Sequence, residues 1–254
     1  MSNRGEIGII IQARTGSTRL KNKMLLPFGS ESTLIGYIIN KVKSGTDIPV
    51  VLATSDSEKD KELGAIAGKL GVSVFYGSEN DVLDRFTQAA KKYKFDSVVR
   101  VCADNPFLSS VHINELIAEF EKRSELDYLS YQRNNGTPVM KSHLGFFAEI
   151  LTLEALLKAK EITQDPFYCE HVTNFIYGNK ELFKVDFLSV PSQLDRDDYR
   201  LTLDTLEDYE MLFDLEKSLS EKHNTGYTLD DIMEMIFELD FSSKMTAIIK
   251  EQQK

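Results

Sequence analysis

Four cationic side chains lie close together near the amino end of the chain, and no acidic residue interrupts them. They are Arg14, Arg19, Lys21 and Lys23. An apolar run, Ile7–Gln12, leads into this segment. Gly16, Ser17 and Thr18 can turn backbone N–H and hydroxyl groups toward a bound anion. Because guanidinium and ammonium groups bind several anionic oxygens at once, the spacing predicts an anion site.

Residues 13–23, called the basic loop below, match neither of two well-known phosphate-binding patterns. The segment contains neither GxxxxGK[ST] nor GxGxxG. Two interpretations stay open, a phosphate-binding loop and a basic turn that faces solvent. The apolar run in front of the loop favours the first, because ligands of open α/β sheets bind beyond the carboxyl ends of the strands.

Two aspartates follow apolar segments far apart in the sequence. Asp104 comes two residues after the run Ser97–Cys102, and Asp204 comes directly after residues 199–203. Pro106 ends the first of these predicted strands, so that Asp104 is presented at the sheet edge. Mg²⁺ is held by one or two carboxylates with phosphate oxygens and water. Together the two aspartates predict a metal site beside a bound triphosphate, with an Asx-turn as the alternative role of Asp104.

Two further segments give weaker signals. Thr54 and Asp56 follow a predicted strand and could contact a base or ribose, but a helix N-cap explains this segment equally well. Glu170 and His171 could face an acceptor molecule. An isolated histidine with apolar neighbours more often only packs against them.

The elements that must position these residues follow from hydrophobic periodicity. Apolar runs bounded by turn residues alternate with segments of helical period, which predicts parallel strands joined by crossover helices. In the first half, strands are predicted at 7–12, 49–53, 72–76 and 97–102, and helices at 33–43, 57–70, 80–92 and 110–123. Later strands are predicted at 126–132, 143–151, 183–190 and 199–203, and helices at 152–162, 165–178, after 204 and at 228–239.

This pattern predicts an α/β fold with a mixed, mostly parallel sheet flanked by helices and a small inserted region. One domain over residues 1–254 is expected, because a chain of this length can bury one large core. The 40 acidic residues outnumber the 30 basic ones, and this balance argues against binding to nucleic acid or to membrane surfaces. No apolar stretch approaches the roughly 20 residues of a membrane span, and the amino terminus lacks a secretory region. A cytoplasmic location is therefore expected.

The two cysteines, Cys102 and Cys169, are too few for a disulfide framework and wrongly spaced for a zinc site. We expect both to be buried, reduced thiols.

Four sequence blocks resemble the cytidylyltransferase family that includes acylneuraminate and 3-deoxy-manno-octulosonate cytidylyltransferases. They are QARTGSTRLKNKMLLPFG, YGSENDVLDRFTQAAKKYKFDSVVRVCADNPFL, EHVTNFIY and RLTLDTLEDYEML, and they occur in family order. The most similar branch contains spore coat polysaccharide biosynthesis protein F. The resemblance implies a glycosyltransferase-A-like nucleotidyltransferase fold, usually a homodimer. It also implies transfer of CMP from CTP to a sugar acid or related acceptor, with Mg²⁺ and release of pyrophosphate, in surface polysaccharide or glycoconjugate biosynthesis.

The residue patterns above and the resemblance together predict roles for particular residues. The catalytic residues would be Arg14, Lys23 and Asp104. The nucleotide-binding residues would be Ala13, Arg14, Gly16, Ser17, Arg19, Lys23, Thr54, Asp56, Ser78, Asp81 and Arg85. The metal ligands would be Asp104 and Asp204, and the acceptor would contact Glu170 and His171. By region, residues 1–125 would bind the nucleotide, 126–195 the acceptor and a second subunit, and 196–254 would add a closing strand and helices.

Two other functions stay open. A glycosyltransferase that uses a nucleotide sugar has the same kind of fold, and fold alone does not decide function. Such enzymes commonly carry an Asp-x-Asp metal motif, whereas this chain has Asp104, Asn105 and Pro106. The second alternative is a noncatalytic nucleotide-binding protein.

Overall fold

The computed structural model describes residues 4–223 and 226–252, and in it the apolar runs of the first half form four neighbouring parallel strands. They are β1 (Ile7–Gln12), β2 (Val50–Ser55), β3 (Ser73–Gly77) and β4 (Ser97–Cys102). β1 lies between β2 and β4, so the strand order reverses there. At such a reversal a crevice opens beyond the carboxyl ends of the strands, and ligands bind in it. The basic loop leaves β1 at this crevice, and Asp104 follows β4 into it.

The second half adds three strands beyond β4. They are β5 (Tyr128–Gln132), β6 (Glu149–Thr152) and β7 (Val185–Ser189). The order across the sheet is β3-β2-β1-β4-β6-β5-β7. β6 is antiparallel to both of its neighbours, and the other pairs are parallel. The predicted mixed, mostly parallel sheet is confirmed.

Helices cover both faces of the sheet because successive residues of a strand point to opposite sides. On β1, Ile9 and Ile11 join one apolar core, whereas Ile10 joins the other. The helices are α1 (Leu34–Ser44), α2 (Lys61–Lys69), α3 (Val82–Tyr93), α4 (Ser110–Lys122), α5 (Leu153–Ile162), α6 (Pro166–Glu170), α7 (Asn174–Gly178), α8 (Leu206–Lys222), α9 (Leu229–Glu238) and α10 (Phe241–Gln252). α3 packs Val82 and Phe86 into the core of Ile10, as its amphipathic pattern requires.

Oxygen-bearing side chains begin several of these helices. Thr33 and Thr152 accept backbone N–H bonds at the starts of α1 and α5, and Asp81 does so for α3. Thr205 and Asp208 form a capping box at the start of α8. Each cap satisfies a backbone donor that a helix leaves unpaired, and losing one costs about 1 kcal/mol.

Four predicted elements differ from the structure. Of the predicted strand 143–151 only the last three residues pair in the sheet, as part of β6 (Glu149–Thr152), and residues 199–203 do not form a strand. The predicted helix 165–178 is two short helices, since Val172 and Thr173 turn inward and are buried. The predicted helix 57–70 begins with a separate 3-10 turn, Glu58–Asp60.

Some predictions fall on residues outside the described part. The sequence predicts no secretory region at the amino terminus, and residues 1–3 of that segment lie outside the described part of the chain. Both ends of the predicted domain 1–254 likewise lie outside the described part. Within residues 4–223 and 226–252, no helix combines the length and apolar character needed to cross a bilayer.

Candidate active site

Two adjoining cavities open beyond the carboxyl ends of β1 and β4. The loop cavity, of about 370 Å³, lies under the basic loop. The side cavity, of about 530 Å³, lies against residues 139–147, α6, α7 and residues 202–204. The residues that line both are Arg19, Arg100, Cys102, Asp104, His171 and Asp204. A ligand in one cavity therefore lies next to a ligand in the other.

The basic loop supplies most of the predicted nucleotide-binding residues to the loop cavity. Those in its wall are Ala13, Arg14, Gly16, Ser17, Arg19 and Lys23. The loop is anchored from below by the buried Asp60, which accepts hydrogen bonds from the backbone N–H and the hydroxyl of Thr15 at 2.7 and 2.6 Å, and from the Ser55 hydroxyl at 2.5 Å. Burial on its own raises the pKa of Asp60, yet these hydrogen bonds outweigh it and lower the pKa. Asp60 was not among the predicted site residues.

Lys23 brings together the two aspartates that lie far apart in the sequence. Its Nζ is 3.4 Å from Oδ2 of Asp104 and 3.3 Å from Oδ1 of Asp204, and it donates to the Leu203 carbonyl at 2.7 Å. Asn22, directly before it, adopts the left-handed backbone conformation at φ 56°, which asparagine tolerates better than most residues. This turn directs the Lys23 side chain into the crevice instead of into solvent.

Asp204 is held by further cations and by the start of α8. Arg19 Nη2 lies 2.9 Å from its Oδ1, and Arg200 Nη2 lies 3.6 Å from its Oδ2. The fully buried Asp208 pairs with Arg200 through both carboxylate oxygens, at 2.7 and 2.8 Å. It also accepts the backbone N–H of Asp204 at 3.0 Å. Acidic residues in a first helical turn are usual, and here one of them also orients the candidate metal ligand.

The two aspartates fit a divalent cation. Both direct an oxygen at one Lys23 ammonium, which occupies the kind of position that a shared cation takes between two carboxylates. In the described chain, no three His, Cys, Asp or Glu side chains cluster as metal ligands. A metal here would therefore complete its shell with phosphate oxygens and water, as Mg²⁺ usually does.

Five predicted nucleotide-binding residues do not line the loop cavity. Thr54 and Arg85 are corrections, because both are fully buried and have no surface to offer a nucleotide. Arg85 Nη1 instead donates to the carbonyls of Ser78 and Glu79, and burial together with the nearby Arg14 charge lowers its pKa to about 10.

The other three lie on the surface near the loop. Asp56 is exposed, and its N–H donates to the Gly77 carbonyl at 2.9 Å. Ser78 Oγ accepts the Asp81 N–H at 3.0 Å, and Asp81 in turn caps α3. Contact of these three with a nucleotide stays a prediction.

The two predicted acceptor residues lie at the carboxyl end of α6. Glu170 lines the loop cavity and pairs with Arg14 Nη2 at 3.0 Å. His171 lines both cavities, and its ring packs on Phe167 with centroids 4.7 Å apart. His171 thus packs against an apolar neighbour, as the plainer interpretation holds, and also faces the site.

Sequence reasoning missed Arg100, which forms part of the wall between the cavities. It lies in the buried strand β4, and its guanidinium is held by Gln12 and Glu149. A charged residue inside an apolar strand is a signal that could have revealed it, because such a residue needs a partner or a ligand.

The side cavity has a partly cationic rim. Lys141 Nζ lies 5.5 Å from the centroid of the Tyr177 ring, a cation–π distance. His143 Nδ1 accepts a hydrogen bond from Arg200 Nη1 at 2.8 Å. Burial and the Arg200 charge lower the pKa of His143.

Cys102, between the cavities, corrects the expectation of a buried thiol, because it and Cys169 are only partly buried. Neither forms a disulfide in the described chain. Burial raises the pKa of Cys102 to about 12, so its thiol is neutral.

Comparison with known proteins identifies the family. The chain is 35% identical over 224 residues to spore coat polysaccharide biosynthesis protein SpsF of Bacillus subtilis (strain 168), a match that covers 85% of this chain and 89% of that protein. It is 33% identical over 142 residues to 3-deoxy-manno-octulosonate cytidylyltransferase of Rickettsia canadensis (strain McKiel), covering 54% and 53%. A solved cytidylyltransferase structure from Leptospira borgpetersenii serovar Hardjo-bovis (strain JB197) superposes with a TM-score of 0.81 at 33% identity, covering 93% of this chain and 96% of that one.

The family model described as Cytidylyltransferase matches residues 8–251, which is nearly the whole chain. The strand reversal at β1 and β4, with the basic loop on one side and Asp104 on the other, agrees with a nucleotidyltransferase fold. The chain belongs to the cytidylyltransferase family.

Proposed function

We propose that this protein transfers CMP from CTP to a hydroxyl group of a sugar acid or related acceptor and releases pyrophosphate, with Mg²⁺ as its cofactor. The observation that carries this proposal is the convergence of Lys23, Asp104 and Asp204 where the two cavities meet. CTP would bind in the loop cavity and the acceptor in the side cavity. The relatives support a role in surface polysaccharide or glycoconjugate biosynthesis.

The chain would act mainly by positioning and by charge neutralisation. The acceptor oxygen attacks the α-phosphorus, the bond from that phosphorus to the pyrophosphate oxygen breaks, and the hydroxyl proton passes to solvent. Arg14, Arg19 and Lys23 would stabilise the charge that builds on the leaving pyrophosphate. Asp104 and Asp204 would hold Mg²⁺, which, when bound, neutralises phosphate oxygens.

The remaining regional assignments belong to the same proposal. Residues 1–125 would bind the nucleotide and 196–254 would complete the site through Asp204. Residues 126–195 would bind the acceptor and a second copy of the chain. A cytoplasmic homodimer is the expected form, and sedimentation equilibrium would test the dimer.

The test is incubation with each of the four NTPs, Mg²⁺ and a panel of sugar acids, with pyrophosphate release and product masses measured. CTP-dependent release and a CMP-linked product are expected. UDP release from UDP-sugars would instead indicate a glycosyltransferase. Thermal stabilisation by CTP and Mg²⁺ without turnover of any acceptor would indicate a noncatalytic nucleotide-binding protein.

Two lysines of the basic loop provide a matched pair of variants. Lys23 is buried in the crevice, whereas Lys21 is exposed and lines neither cavity. Lys23→Ala is expected to weaken CTP binding about 30-fold, because charge-assisted hydrogen bonds are among the stronger ones. Lys21→Ala is expected to change it less than threefold. Equal effects would argue that the loop acts only through its overall charge.

A further inference from the structure

Arg100 is a charged residue within a strand that is otherwise apolar or small. Its neighbours Val99 and Val101 are at most 1% exposed, and its own side chain is 11% exposed. Residues two apart in a strand share a face, so Arg100 and Cys102 lie on the same side of β4, and Asp104 follows in the turn after the strand. All three line both cavities. Arg100 therefore lines the same two cavities as the candidate metal ligand Asp104.

Hydrogen bonds to Gln12 and Glu149 hold the Arg100 guanidinium in place. Gln12 Oε1 accepts from its Nε at 3.2 Å and from its Nη2 at 3.0 Å, and the fully buried Glu149 accepts from its Nη1. Glu149 is itself held by the Tyr128 hydroxyl at 2.6 Å and the Thr173 hydroxyl at 3.1 Å. Burial alone lowers the pKa of Arg100, but the charge of the Glu149 carboxylate and its hydrogen bond to the guanidinium raise it. The group is therefore charged and rigidly oriented.

These contacts leave donors unused. An arginine has five N–H groups, and three of those on Arg100 bond Gln12 and Glu149. The other two have no acceptor among the described residues. The ion pair of Arg100 and Glu149 joins β4 and β6. Apolar residues of similar size can replace such a buried ion pair with little loss of stability. Stability alone therefore does not explain why a guanidinium lines both cavities.

The acidic residues that line the side cavity are paired with a cation, and its wall holds one unpaired hydrogen-bond acceptor. Among its lining residues in the described chain, Asp104 and Asp204 are the acidic ones, and both contact Lys23. Asn105, which is 8% exposed, also lines this cavity, and its Oδ1 has no hydrogen-bond partner among the described residues. The wall of the side cavity thus contains one buried acceptor without a partner in the described chain.

We propose that Arg100 binds the carboxylate of the acceptor in the side cavity and so makes the enzyme select acids over neutral sugars. A carboxylate accepts two parallel bonds from a guanidinium, which sets its orientation as well as its affinity. Held in this way beside Asp104, the acceptor presents a hydroxyl group toward the loop cavity. This inference rests on the proposed function, because it assumes that the side cavity holds the acceptor.

The test compares free sugar acids with their uncharged methyl esters. The probes are 3-deoxy-manno-octulosonate, N-acetylneuraminate and the methyl ester of each, with CTP and Mg²⁺ supplied at saturation. The acid that the wild-type protein uses is expected to have a KM about 30-fold below that of its ester. Equal KM values, or use of neutral or phosphorylated sugars alone, would overturn the inference. Failure of CTP alone to bind, measured by calorimetry, would instead overturn the proposed function.

Variants then separate binding from a structural role. Arg100→Gln leaves Glu149 buried and unpaired, so the decisive variant is the double replacement Arg100→Gln/Glu149→Gln, which leaves neither charge. We expect it to fold and to raise the KM of the acid about 30-fold, with at least a tenfold smaller effect on the Kd of CTP. Arg100→Lys keeps the charge and is expected to recover part of the loss. A double variant with a KM within threefold of wild type would show that Arg100 serves only the ion pair.

Discussion

The loop cavity and the side cavity share a wall but are built in different ways. The loop cavity takes its cations mainly from residues 13–23, which follow one strand without interruption. The side cavity collects its lining from residues 139–147, α6, α7 and residues 202–204. A site made from one loop keeps its cationic side chains in place as long as the backbone conformation of that loop is kept. A site made from several segments depends on how each of them packs.

The contrast suggests a division of labour. The contiguous loop suits a ligand part that is the same in every reaction, such as a triphosphate. The composite cavity can change with any one of its segments, so it suits the acceptor of the proposed reaction. Asp104, Asp204 and Arg100 line both cavities. Variants at these residues and on either side of them test this division.

Asp104→Asn is expected to have the largest effect, because Asp104 belongs to both cavities. Turnover should fall about a thousandfold at saturating substrates, since a neutral amide cannot replace a carboxylate that holds a cation. Pyrophosphate release measures the loss, and the melting temperature by circular dichroism shows whether the fold survives. A folded variant with wild-type turnover would remove Asp104 from the chemistry.

Asp208→Asn should have the next largest effect, and on stability. It breaks the buried pair with Arg200 and leaves that cation only the Asp204 oxygen at 3.6 Å as an anionic partner, which costs about 3 kcal/mol of the free energy of unfolding. Urea denaturation measures this change. Glu207→Gln is the control, because Glu207 is exposed in the same helical turn and should change stability by less than about 0.5 kcal/mol. Similar losses for both variants would contradict a specific role of the buried pair.

Glu170→Gln tests whether a change in the loop cavity affects CTP binding without affecting acceptor binding. Glu170 holds Arg14 through a partly exposed ion pair, which is worth about 0.2 to 1 kcal/mol. Freeing Arg14 should therefore tighten CTP binding about two- to threefold, as measured by calorimetry. Glu161→Gln, at an exposed position of α5, should change nothing. A larger change in the KM of the acceptor than in CTP affinity would favour the direct acceptor contact that the sequence predicts for Glu170.

The smallest expected effect is a pH dependence that belongs to the side cavity. Because burial and Arg200 lower the pKa of His143, the unfolded chain binds a proton more readily than the folded chain below the ordinary histidine pKa of about 6.5. The free energy of unfolding should fall as the pH drops from 7 to 5. His143→Gln should show a shallower fall in urea denaturation at these two pH values. Equal slopes would exclude His143 as a source of acid sensitivity.

Much of the first half could be predicted because its signals are local. The run Ile7–Gln12 is apolar on both faces, as a strand covered by helices must be. The cations of the basic loop are close together in the sequence, so they are close together in any fold. The amphipathic pattern of α3 is likewise complete within its own residues. Asp104 and Asp204 were predicted as a pair from their positions after apolar segments, and Lys23 does contact both.

The second half was harder because its partners are distant. Residues 199–203 look like a strand, yet Leu201 and Leu203 donate single backbone bonds to His143 and Asp104 instead of joining a ladder. Gly145, at φ 68°, permits this approach, because a Cβ there would lie 2.6 Å from the Leu201 carbonyl oxygen. The hydrophobic pattern of a segment indicates that it is buried, but it does not indicate whether a strand edge is free to pair with it.

By itself the amino-acid sequence determined the strand and helix alternation, the anionic overall charge, the cationic loop and the two candidate metal ligands. These depend on side-chain chemistry and on spacing along the chain. The tertiary structure alone decided that Arg85 is buried and donates to the Ser78 and Glu79 carbonyls, that Arg100 lines the site, and that Glu149, 49 residues further on, holds it there. A buried charge is stable only beside its partner, and which residue becomes that partner depends on how β4 and β6 pair.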